Sequence, residues 1–325
     1  MKYPPLPIPN LKEKLQPVKD IFYKYKKYLF TNALVLAIIF LILGLISYLT
    51  TSPKVIGMYD PDDAFITEKG ITMRSDYFAW NKDLSVIAIE LKRATEQQRA
   101  FLVTIEPWPE PVGFRYESNN DLLKAIIEGE YDQTTNNICD ILSTAQVPVY
   151  IRWGHEMELE NSRYPWSHST PELYIQAYRH FVDTCRTKGN LFKFVWSPAG
   201  EAGLENYWPG KKYVDVIGLS IYSFDQYDEK HIGHKRSFKE VFIPRYDRVK
   251  NYRKPVLIAE IGVTGTDNYK LEWIGWMMND LHNYKRLIGF VYLNTMDPQA
   301  VWEEGLDNPD WRLPKRATQL LFPKK

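Results

Sequence analysis

Two glutamates in this chain each follow an apolar run. These runs could place both side chains at a common reaction centre. Residues 147–158 have the sequence VPVYIRWGHEME, so Glu156 stands just beyond a short apolar stretch. Glu260 directly follows the uninterrupted apolar run 256–259. A pair of carboxyl groups can cleave a glycosidic bond, because one protonates the leaving oxygen while the other attacks the anomeric carbon or activates water. Glu156 and Glu260 are therefore candidates for such a pair.

A histidine beside a glutamate could also indicate a metal site. The segment HEMEL, from His155 to Leu159, lacks the second histidine of the zinc motif H-E-x-x-H. A second pair, His231 and His234, has no obvious third ligand in its lysine-rich surroundings. We therefore expect neither a metal nor a cofactor.

The elements that must position these residues alternate along the chain. Short apolar or β-branched runs predict strands, and longer amphipathic patterns at 131–145, 171–187 and 269–284 predict helices between them. Such an alternation is typical of a parallel sheet covered by helices. The predicted strands are Val55–Tyr59, Ser85–Leu91, Phe101–Glu106, Pro148–Gly154, Phe192–Ser197, Val216–Tyr222, Val256–Ile261 and Leu287–Asn294.

Eight such units favour a closed (β/α)₈ TIM barrel. The open doubly wound alternative usually shows a glycine-rich first turn, and VIGMYDPDD after position 54 contains none. Active sites of the barrel lie at the carboxyl ends of its strands. Polar and aromatic residues concentrate there, although any one carboxylate could instead cap the next helix. They are Tyr59, Asp60, Glu106, Trp108, His155, Glu156, Trp196, Ser197, Tyr222, Glu260 and Asn294.

Composition limits the classes of partner. The chain has 325 residues, of which 45% are hydrophobic, enough for a substantial core. A net charge of +1 gives no electrostatic case for nucleic acid, so we expect a neutral ligand. Cys139 and Cys185 lie in predicted helices without metal-ligand spacing and are interpreted as core residues, while a disulfide between them stays open.

The N-terminal segment predicts a membrane anchor. No charged residue occurs from Leu29 to Pro53, and residues 1–28 carry seven lysines against two acids. We predict a lysine-rich cytoplasmic tail at 1–28, an uncleaved single-pass signal-anchor helix at 29–49 and an extracytoplasmic domain at 54–325. A cleaved signal peptide and a buried core helix are the alternatives; the long leader argues against the first and the lack of a polar face against the second.

Several segments resemble glycoside hydrolase family 26, from about Val55 to Leu313. His155-Glu156-Met157 followed by Tyr164-Pro165-Trp166 is similar to the HEMN…WYPW segment of that family, and KPVLIAEIG, ending at Gly262, is similar to its nucleophile strand. Further similarity lies in FVWSP at 194–198 and in the stretch from 207 to 222.

This resemblance implies a retaining endo-β-glycanase of the β-mannanase or β-1,3-1,4-glucanase type on a clan A (β/α)₈ barrel. Glu156 would be the general acid/base and Glu260 the nucleophile, with carboxyl groups about 5 to 5.5 Å apart. His155 would be an orienting donor to the nucleophile or the sugar. Tyr222 would donate its hydroxyl to Glu260. Arg152, on the same side of the strand as Glu156, would support the charge network, although an arginine near a strand end could equally be structural.

Tryptophans near the strand ends are candidates for stacking on sugar rings, and each of them could equally be a core residue. Trp153 faces away from Glu156 by strand alternation and is assigned to packing. Two departures from the family, Glu158 in place of asparagine and Ser220 in place of aspartate, put the substrate in question more than the reaction. The candidate stacking residues are Trp108, Trp166, Trp196, Trp208 and Trp302.

The sequence thus predicts a membrane-tethered hydrolase of internal β-linkages in a neutral polysaccharide, of the β-1,4-mannan or β-1,3-1,4-glucan type. An exopolysaccharide made by the same cell is one expected target. The alternatives are a non-catalytic polysaccharide-binding barrel and a membrane-anchored interaction protein.

Overall fold

The computed structural model describes residues 23–26, 28, 30–41, 55–160, 163–298 and 302–322. The chain divides into two compact units, Met1–Ser52 and Pro53–Lys325, and the described residues of the first unit are helical. Across the described ranges, no helix combines the length and the apolar content that a bilayer crossing requires. Most of the predicted tail at 1–28, and positions 29 and 42–49 of the predicted anchor, lie outside those ranges.

The second unit is a closed barrel of eight parallel strands in chain order, which confirms the predicted (β/α)₈ fold. The first and last strands close the barrel, with Val55 opposite Gly289 and Tyr59 opposite Leu293. The strands are β1 (Val55–Tyr59), β2 (Met73–Ala79), β3 (Ala100–Glu106), β4 (Val149–Trp153), β5 (Phe192–Trp196), β6 (Val216–Ser223), β7 (Val256–Val263) and β8 (Leu287–Leu293).

Helices cover the outside of the barrel, and the main hydrophobic core lies between them and the strands. A smaller apolar cluster, which includes Met73, Leu102 and Leu257, is formed by strand residues alone. The helices are α1 (Ser85–Glu96), α2 (Asn119–Ile127), α3 (Asp132–Ser143), α4 (Pro171–Arg186), α5 (Asp225–His231), α6 (Phe238–Val249), α7 (Asp267–Asp280) and α8 (Thr318–Leu321), with short 3₁₀ turns at 204–207, 250–252, 281–283 and 315–317.

One predicted strand is wrong. The segment Ser85–Leu91 belongs to α1, where Ile87, Leu91 and Ala94 form the buried face at helical spacing. The true second strand is β2, whose charged residues made it look unlike a strand. Arg74 of β2 pairs with Asp76 of the same strand at 2.8 Å and with Glu90 of α1 at 2.7 Å. An ion pair therefore joins β2 to α1.

The two cysteines form a disulfide that joins neighbouring helices. Cys139 lies in α3 and Cys185 in α4, and both are buried. The disulfide that the sequence left open is thus present, and it links two helices across 46 positions of the chain.

Candidate active site

A cleft of about 720 Å³ contains Glu156 and Glu260 at the carboxyl ends of the barrel strands. Parallel strands in a closed barrel bring these ends to one face, so residues distant in sequence meet there. The aromatic part of the lining is formed by Tyr59, Tyr77, Tyr164, Tyr222, Tyr227 and Trp302.

An irregularity in β7 aims Glu260 into the cleft. Leu219 of β6 pairs with Ile258, but the next residue, Ser220, pairs with Glu260, so Ala259 is skipped in the register. In an unbroken strand Glu260 would point to the same side as Ile258, which packs in the core under the helices. A bulge inserts one residue and reverses that alternation. The bulge at Ala259 therefore turns Glu260 inward.

Two donors hold the Glu260 carboxylate in its charged form. The guanidinium of Arg152, which is fully buried, pairs with Oε1, and the hydroxyl of Tyr222 donates a hydrogen bond to Oε2. Burial alone would raise the pKa of Glu260, but the charge of Arg152 and these two hydrogen bonds outweigh it and hold the pKa below its usual value. The predicted contact from Tyr222 is present, and Glu260 is ionised near neutral pH.

Arg152 is itself fixed from several sides. Its Nε donates to the Ser197 hydroxyl at 2.8 Å, and its Nη1 lies 3.5 Å from the Thr104 hydroxyl. A buried charge is tolerated only when it is paired and hydrogen-bonded. By holding the Arg152 guanidinium in place, these contacts also fix the position and the negative charge of the Glu260 carboxylate.

Glu156 is held in an unusual backbone conformation. Its φ is +56° and that of Gly154 is +54°, so the chain turns sharply at the end of β4. The backbone N–H of Glu156 donates to the Ser197 carbonyl at 2.8 Å. Its carboxylate accepts a hydrogen bond from the Ser220 hydroxyl at 2.5 Å. These contacts fix the side chain within the cleft.

The environment of Glu156 favours its protonated form. Burial and the negative charge of Glu260 raise its pKa to about 7, although Arg152 and the Ser220 hydrogen bond oppose that rise. Two carboxyl groups in one cleft with pKa values moved in opposite directions are the usual arrangement of an acid and a base or nucleophile. This pair can therefore donate a proton and attack in the same step.

Among the described residues His155 contacts Tyr164 and not Glu260, so the expected contact with the nucleophile is absent there, while the expected contact with a sugar stays a prediction. Its side chain is buried, packs among Tyr77, Tyr164 and Trp166, and bonds through Nε2 with the Tyr164 hydroxyl at 3.1 Å. Burial and the charge of Arg152 hold the pKa of His155 well below its usual value, so the ring is neutral. Its contact orients Tyr164, which lines the cleft.

The predicted stacking tryptophans separate into two groups. Trp302 lines the cleft, whereas Trp108 is partly exposed, lies outside the cleft lining and donates its Nε1 proton to Glu106 at 2.9 Å. Trp166 and Trp196 are fully buried, so of the two roles that the sequence left open they have the core one. Both belong to the main hydrophobic core. Trp208 packs against Tyr252 with ring centres 4.3 Å apart and is not part of the cleft lining. Trp153 is buried in the core, as predicted.

The two departures from the family have different positions. Glu158 lies outside the cleft lining, and its Oε1 accepts the backbone N–H groups of Gly200 and Glu201 at 2.8 and 3.1 Å. It therefore stabilises the loop after β5. Ser220 does line the cleft, where it donates to the acid.

Sequence reasoning missed the charged residues of the cleft wall. Arg163 lies in the loop after β4, Glu201 in the loop after β5, and Arg245 in the middle of α6. Nothing in the sequence indicates that an arginine within a helix faces the cleft at the strand ends. Arg236 and Asp297 complete this charged lining.

The residues described offer no group of three or more His, Cys, Asp or Glu that could hold a metal ion. The two histidines of the HIGH segment contact different acids. His231 lies 2.6 Å from Glu303, and His234 lies 2.7 Å from Glu240.

Similarity to known proteins agrees with this geometry. The family model described as Glycosyl hydrolase family 26 matches residues 116–286, more than half of the chain. Endoglucanase H of Acetivibrio thermocellus is 25% identical over 251 residues, which cover 73% of this chain and 25% of that protein. A mannan endo-1,4-beta-mannosidase of Bacillus subtilis is 33% identical over 95 residues, covering 29% of this chain and 22% of that protein.

Solved structures share the fold. GH26C from Muricauda sp. has a TM-score of 0.57 at 16% identity, covering 76% of this chain and 80% of that one. The chain spans about half or less of the length of the curated relatives it matches. On the extent of the family match, the chain belongs to glycosyl hydrolase family 26.

Proposed function

We propose that the chain is a retaining endo-β-glycanase that hydrolyses internal β-linkages of a polysaccharide. The observation that carries the proposal is the pair Glu156 and Glu260 in one cleft, the first with its pKa raised to about 7 and the second with its pKa lowered. Near neutral pH one is a proton donor and the other a carboxylate nucleophile, as retaining glycosidases require.

The reaction proceeds in two displacements. The Glu260 carboxylate attacks the anomeric carbon while the proton of Glu156 passes to the departing glycosidic oxygen, which leaves a glycosyl ester on Glu260. Glu156, now a carboxylate, then removes a proton from water as the water oxygen attacks the same carbon and releases Glu260. Arg152 and Tyr222 position the nucleophile before the first step and stabilise the carboxylate that departs in the second.

The change of role at Glu156 follows from its neighbour. The negative charge of Glu260 is one cause of the raised pKa of Glu156. That charge disappears when Glu260 is esterified, so the pKa of Glu156 falls and its carboxylate becomes the favoured form. The glycosyl-enzyme thereby converts the acid into the base that the second step needs.

The substrate we propose has β-linked neutral backbone sugars of the β-1,4-mannan or β-1,3-1,4-glucan type. The names of the relatives, an endoglucanase and a mannan endo-1,4-beta-mannosidase, support this class. Trp302 and the tyrosines of the cleft offer apolar faces on which sugar rings can stack.

We further propose that the hydrolase is tethered to the cell membrane by a single span at 29–49, with the N-terminus in the cytoplasm and the barrel outside. Support comes from the uncharged stretch 29–53, the lysine-rich segment before it and the disulfide, since disulfides persist in oxidising compartments. A tethered hydrolase is suited to trimming an exopolysaccharide made at the same membrane. Unchanged length and release of that polymer in a deletion strain would contradict this role.

The test of the activity is to incubate the full-length chain with a panel of β-glycans and to measure product sizes. We expect a rapid fall in polymer length, with Glu156→Ala and Glu260→Ala both inactive and both folded. Binding without cleavage would favour the non-catalytic polysaccharide-binding alternative. Neither binding nor cleavage would favour the membrane-anchored interaction protein.

A further inference from the structure

The amino end of the barrel carries a local excess of positive charge. Four neighbouring strands, β5 to β8, are each preceded there by a segment that contains basic residues. Together these segments hold eight lysines and arginines and a single acid, Asp215. They are TKGNL at 187–191, GKKYVD at 210–215, KNYRKP at 250–255 and LHNYKR at 281–286, and they are called the basic patch below.

The carboxyl end of the barrel has the opposite balance. Among the described residues, the cleft at that end is lined by five carboxylic acids and three arginines. The two ends of a closed parallel barrel are opposite faces of the domain. The net charge of +1 for the whole chain therefore conceals a separation of charge along the barrel axis.

The segments of the basic patch are close enough to influence one another. Arg186, the last residue of α4, donates to the Lys212 carbonyl at 3.3 Å. Burial lowers the pKa of Lys254, and Asp215 opposes that effect. The charges of Lys211 and Arg186 lower the pKa of Lys254 further. Basic side chains from three successive connections thus form one continuous surface.

Most of this positive charge has no acidic partner within the chain. Lys188 pairs with Asp140 and Lys250 pairs with Asp247, each at 2.8 Å. The acid of the patch, Asp215, accepts a backbone N–H of β5 at 2.9 Å and lies 3.9 Å from a guanidinium of α4. In the described parts of the chain, no carboxylate lies within 4.0 Å of the charged nitrogens of the other six, which are Lys211, Lys212, Arg253, Lys254, Lys285 and Arg286.

Aromatic and apolar side chains accompany the basic ones. Tyr213, Tyr252 and Tyr284 each lie within one segment of the patch and are partly exposed. Leu191, just before β5, is 40% exposed. Tyrosine and lysine both combine an apolar body with a polar tip, which suits them to the boundary between lipid and water. The patch therefore has the composition of a surface that contacts lipid headgroups.

We infer that the basic patch binds the surface of a membrane that contains anionic lipids. The inference rests on the proposed tether, which supplies the membrane. The proposed span ends at position 49, and Val55 begins β1 beside β8, at the same end of the barrel as the patch. Six residues of extended chain reach at most about 20 Å, so the bilayer is within range of the patch. Anionic headgroups attract lysine and arginine side chains near a membrane surface.

This orientation suits the proposed reaction. With the basic patch on the lipid, the cleft at the opposite end of the barrel opens away from the membrane, where a polymer can enter it. The acids of the cleft oppose the reverse orientation, because anionic headgroups repel them.

Chemical labelling of lysines on vesicles tests the inference directly. The full-length chain is reconstituted into vesicles of phosphatidylcholine, either alone or with about a third of phosphatidylglycerol, and treated with a membrane-impermeant acetylating reagent. Mass spectrometry then gives the labelling rate of each lysine. At about 50 mM salt, Lys211, Lys212 and Lys254 should be labelled about threefold more slowly on the anionic vesicles, and at about 0.5 M salt the difference should disappear, because salt screens the contact. Lys82, after β2, and Lys124, on α2, are exposed away from the patch and should be labelled equally on both.

Charge reversal assigns the protection to the patch. Lys211→Glu combined with Lys212→Glu should remove the difference at Lys254. Lys82→Glu combined with Lys124→Glu changes the net charge of the chain by the same amount and should keep the difference. This matched control excludes a general effect of the anionic vesicles on the reagent.

A second pair from another segment keeps the test decisive if the first pair does not fold, which circular dichroism shows. Lys285→Glu combined with Arg286→Glu should likewise remove the protection. Equal labelling on both kinds of vesicle at low salt, or a difference that survives both patch pairs, would overturn the inference. Protection by soluble dextran sulfate without protection by anionic vesicles would assign the patch to an acidic polymer and would also overturn it.

The fate of the tether is measured separately. Resistance of the chain to alkaline extraction from the vesicles reports the membrane span alone. A chain that resists extraction but shows equal labelling keeps the tether and refutes the role of the patch. A chain that alkali removes, yet whose patch lysines show the salt-sensitive protection, refutes the tether and keeps the role of the patch. Glycanase activity enters neither measurement.

Discussion

Replacing Ser220 by alanine should move the alkaline limb of the pH–rate profile upward. The Ser220 hydroxyl donates to the Glu156 carboxylate at 2.5 Å, and a donor of this kind stabilises the charged form of the acid. It therefore lowers the pKa of Glu156, which burial and Glu260 raise to about 7. Without the hydroxyl the protonated form persists to higher pH.

The size of the effect follows from the energy of that hydrogen bond. A hydrogen bond to a charged group contributes about 1.5 to 3 kcal/mol, and the hydroxyl can also bond the protonated acid, so about half of this discriminates the two forms. About 1.4 kcal/mol corresponds to one pH unit, so about 0.8 to 1.5 kcal/mol moves the midpoint up from about 7 by about half a unit to one unit. At pH of about 8 the variant should therefore keep about a quarter to a half of its limiting kcat/KM, against about a tenth for the unmodified protein.

The assay is kcat/KM as a function of pH, because this ratio reports the pKa values of the free enzyme. Ser75→Ala is the matched control: Ser75 is also a buried barrel serine, but its hydroxyl has no hydrogen-bond partner in the described parts of the chain and lies outside the cleft lining. Its profile should match that of the unmodified protein. An alkaline limb that stays in place or moves to lower pH in Ser220→Ala would refute the assignment of Glu156 as the acid.

Four further variants test the packing. Replacing Cys139 and Cys185 together by serine should lower the free energy of unfolding by about 2 to 4 kcal/mol in urea titrations, and a reductant should destabilise only the unmodified protein. Glu158→Ala should cost about 1 to 3 kcal/mol, because two backbone N–H groups lose their acceptor, while relative rates on a glycan panel stay the same; a changed substrate preference would place it in a subsite. Trp302→Ala should raise KM with little loss of stability, whereas Trp196→Ala should cost about 3 to 5 kcal/mol; the reverse pattern would contradict their placement.

The sequence predicted the barrel because seven of its eight strands are apolar along most of their length. The exception is β2, where Arg74 pairs with Asp76 of the same strand and with Glu90 of α1. The neighbouring segment Ser85–Leu91 has β-branched residues but a helical spacing of its buried ones. The strand prediction for this segment relied on its β-branched residues, whereas the spacing of its apolar residues correctly indicates a helix.

Sequence could predict the site residues that lie at strand ends. It could not predict the residues whose role depends on a tertiary contact. Glu156 and Glu260 were identified from strand ends, yet the bulge at Ala259 that aims Glu260 has no sequence signature. Trp196 also ends a strand but points into the helical layer and is buried there. Arg245 was missed because it reaches the cleft from a helix, across a glycine 45 positions earlier in the chain.

The most direct test of the central claim is the stereochemistry of the first product. The full-length chain is mixed with a β-glycan that it cleaves, and the anomeric proton of the new reducing end is followed by NMR before mutarotation. Attack by Glu260 followed by attack of water inverts the anomeric carbon twice, so the first product should be the β-anomer. An α-anomer appearing first would contradict the assignment of Glu260 as the nucleophile.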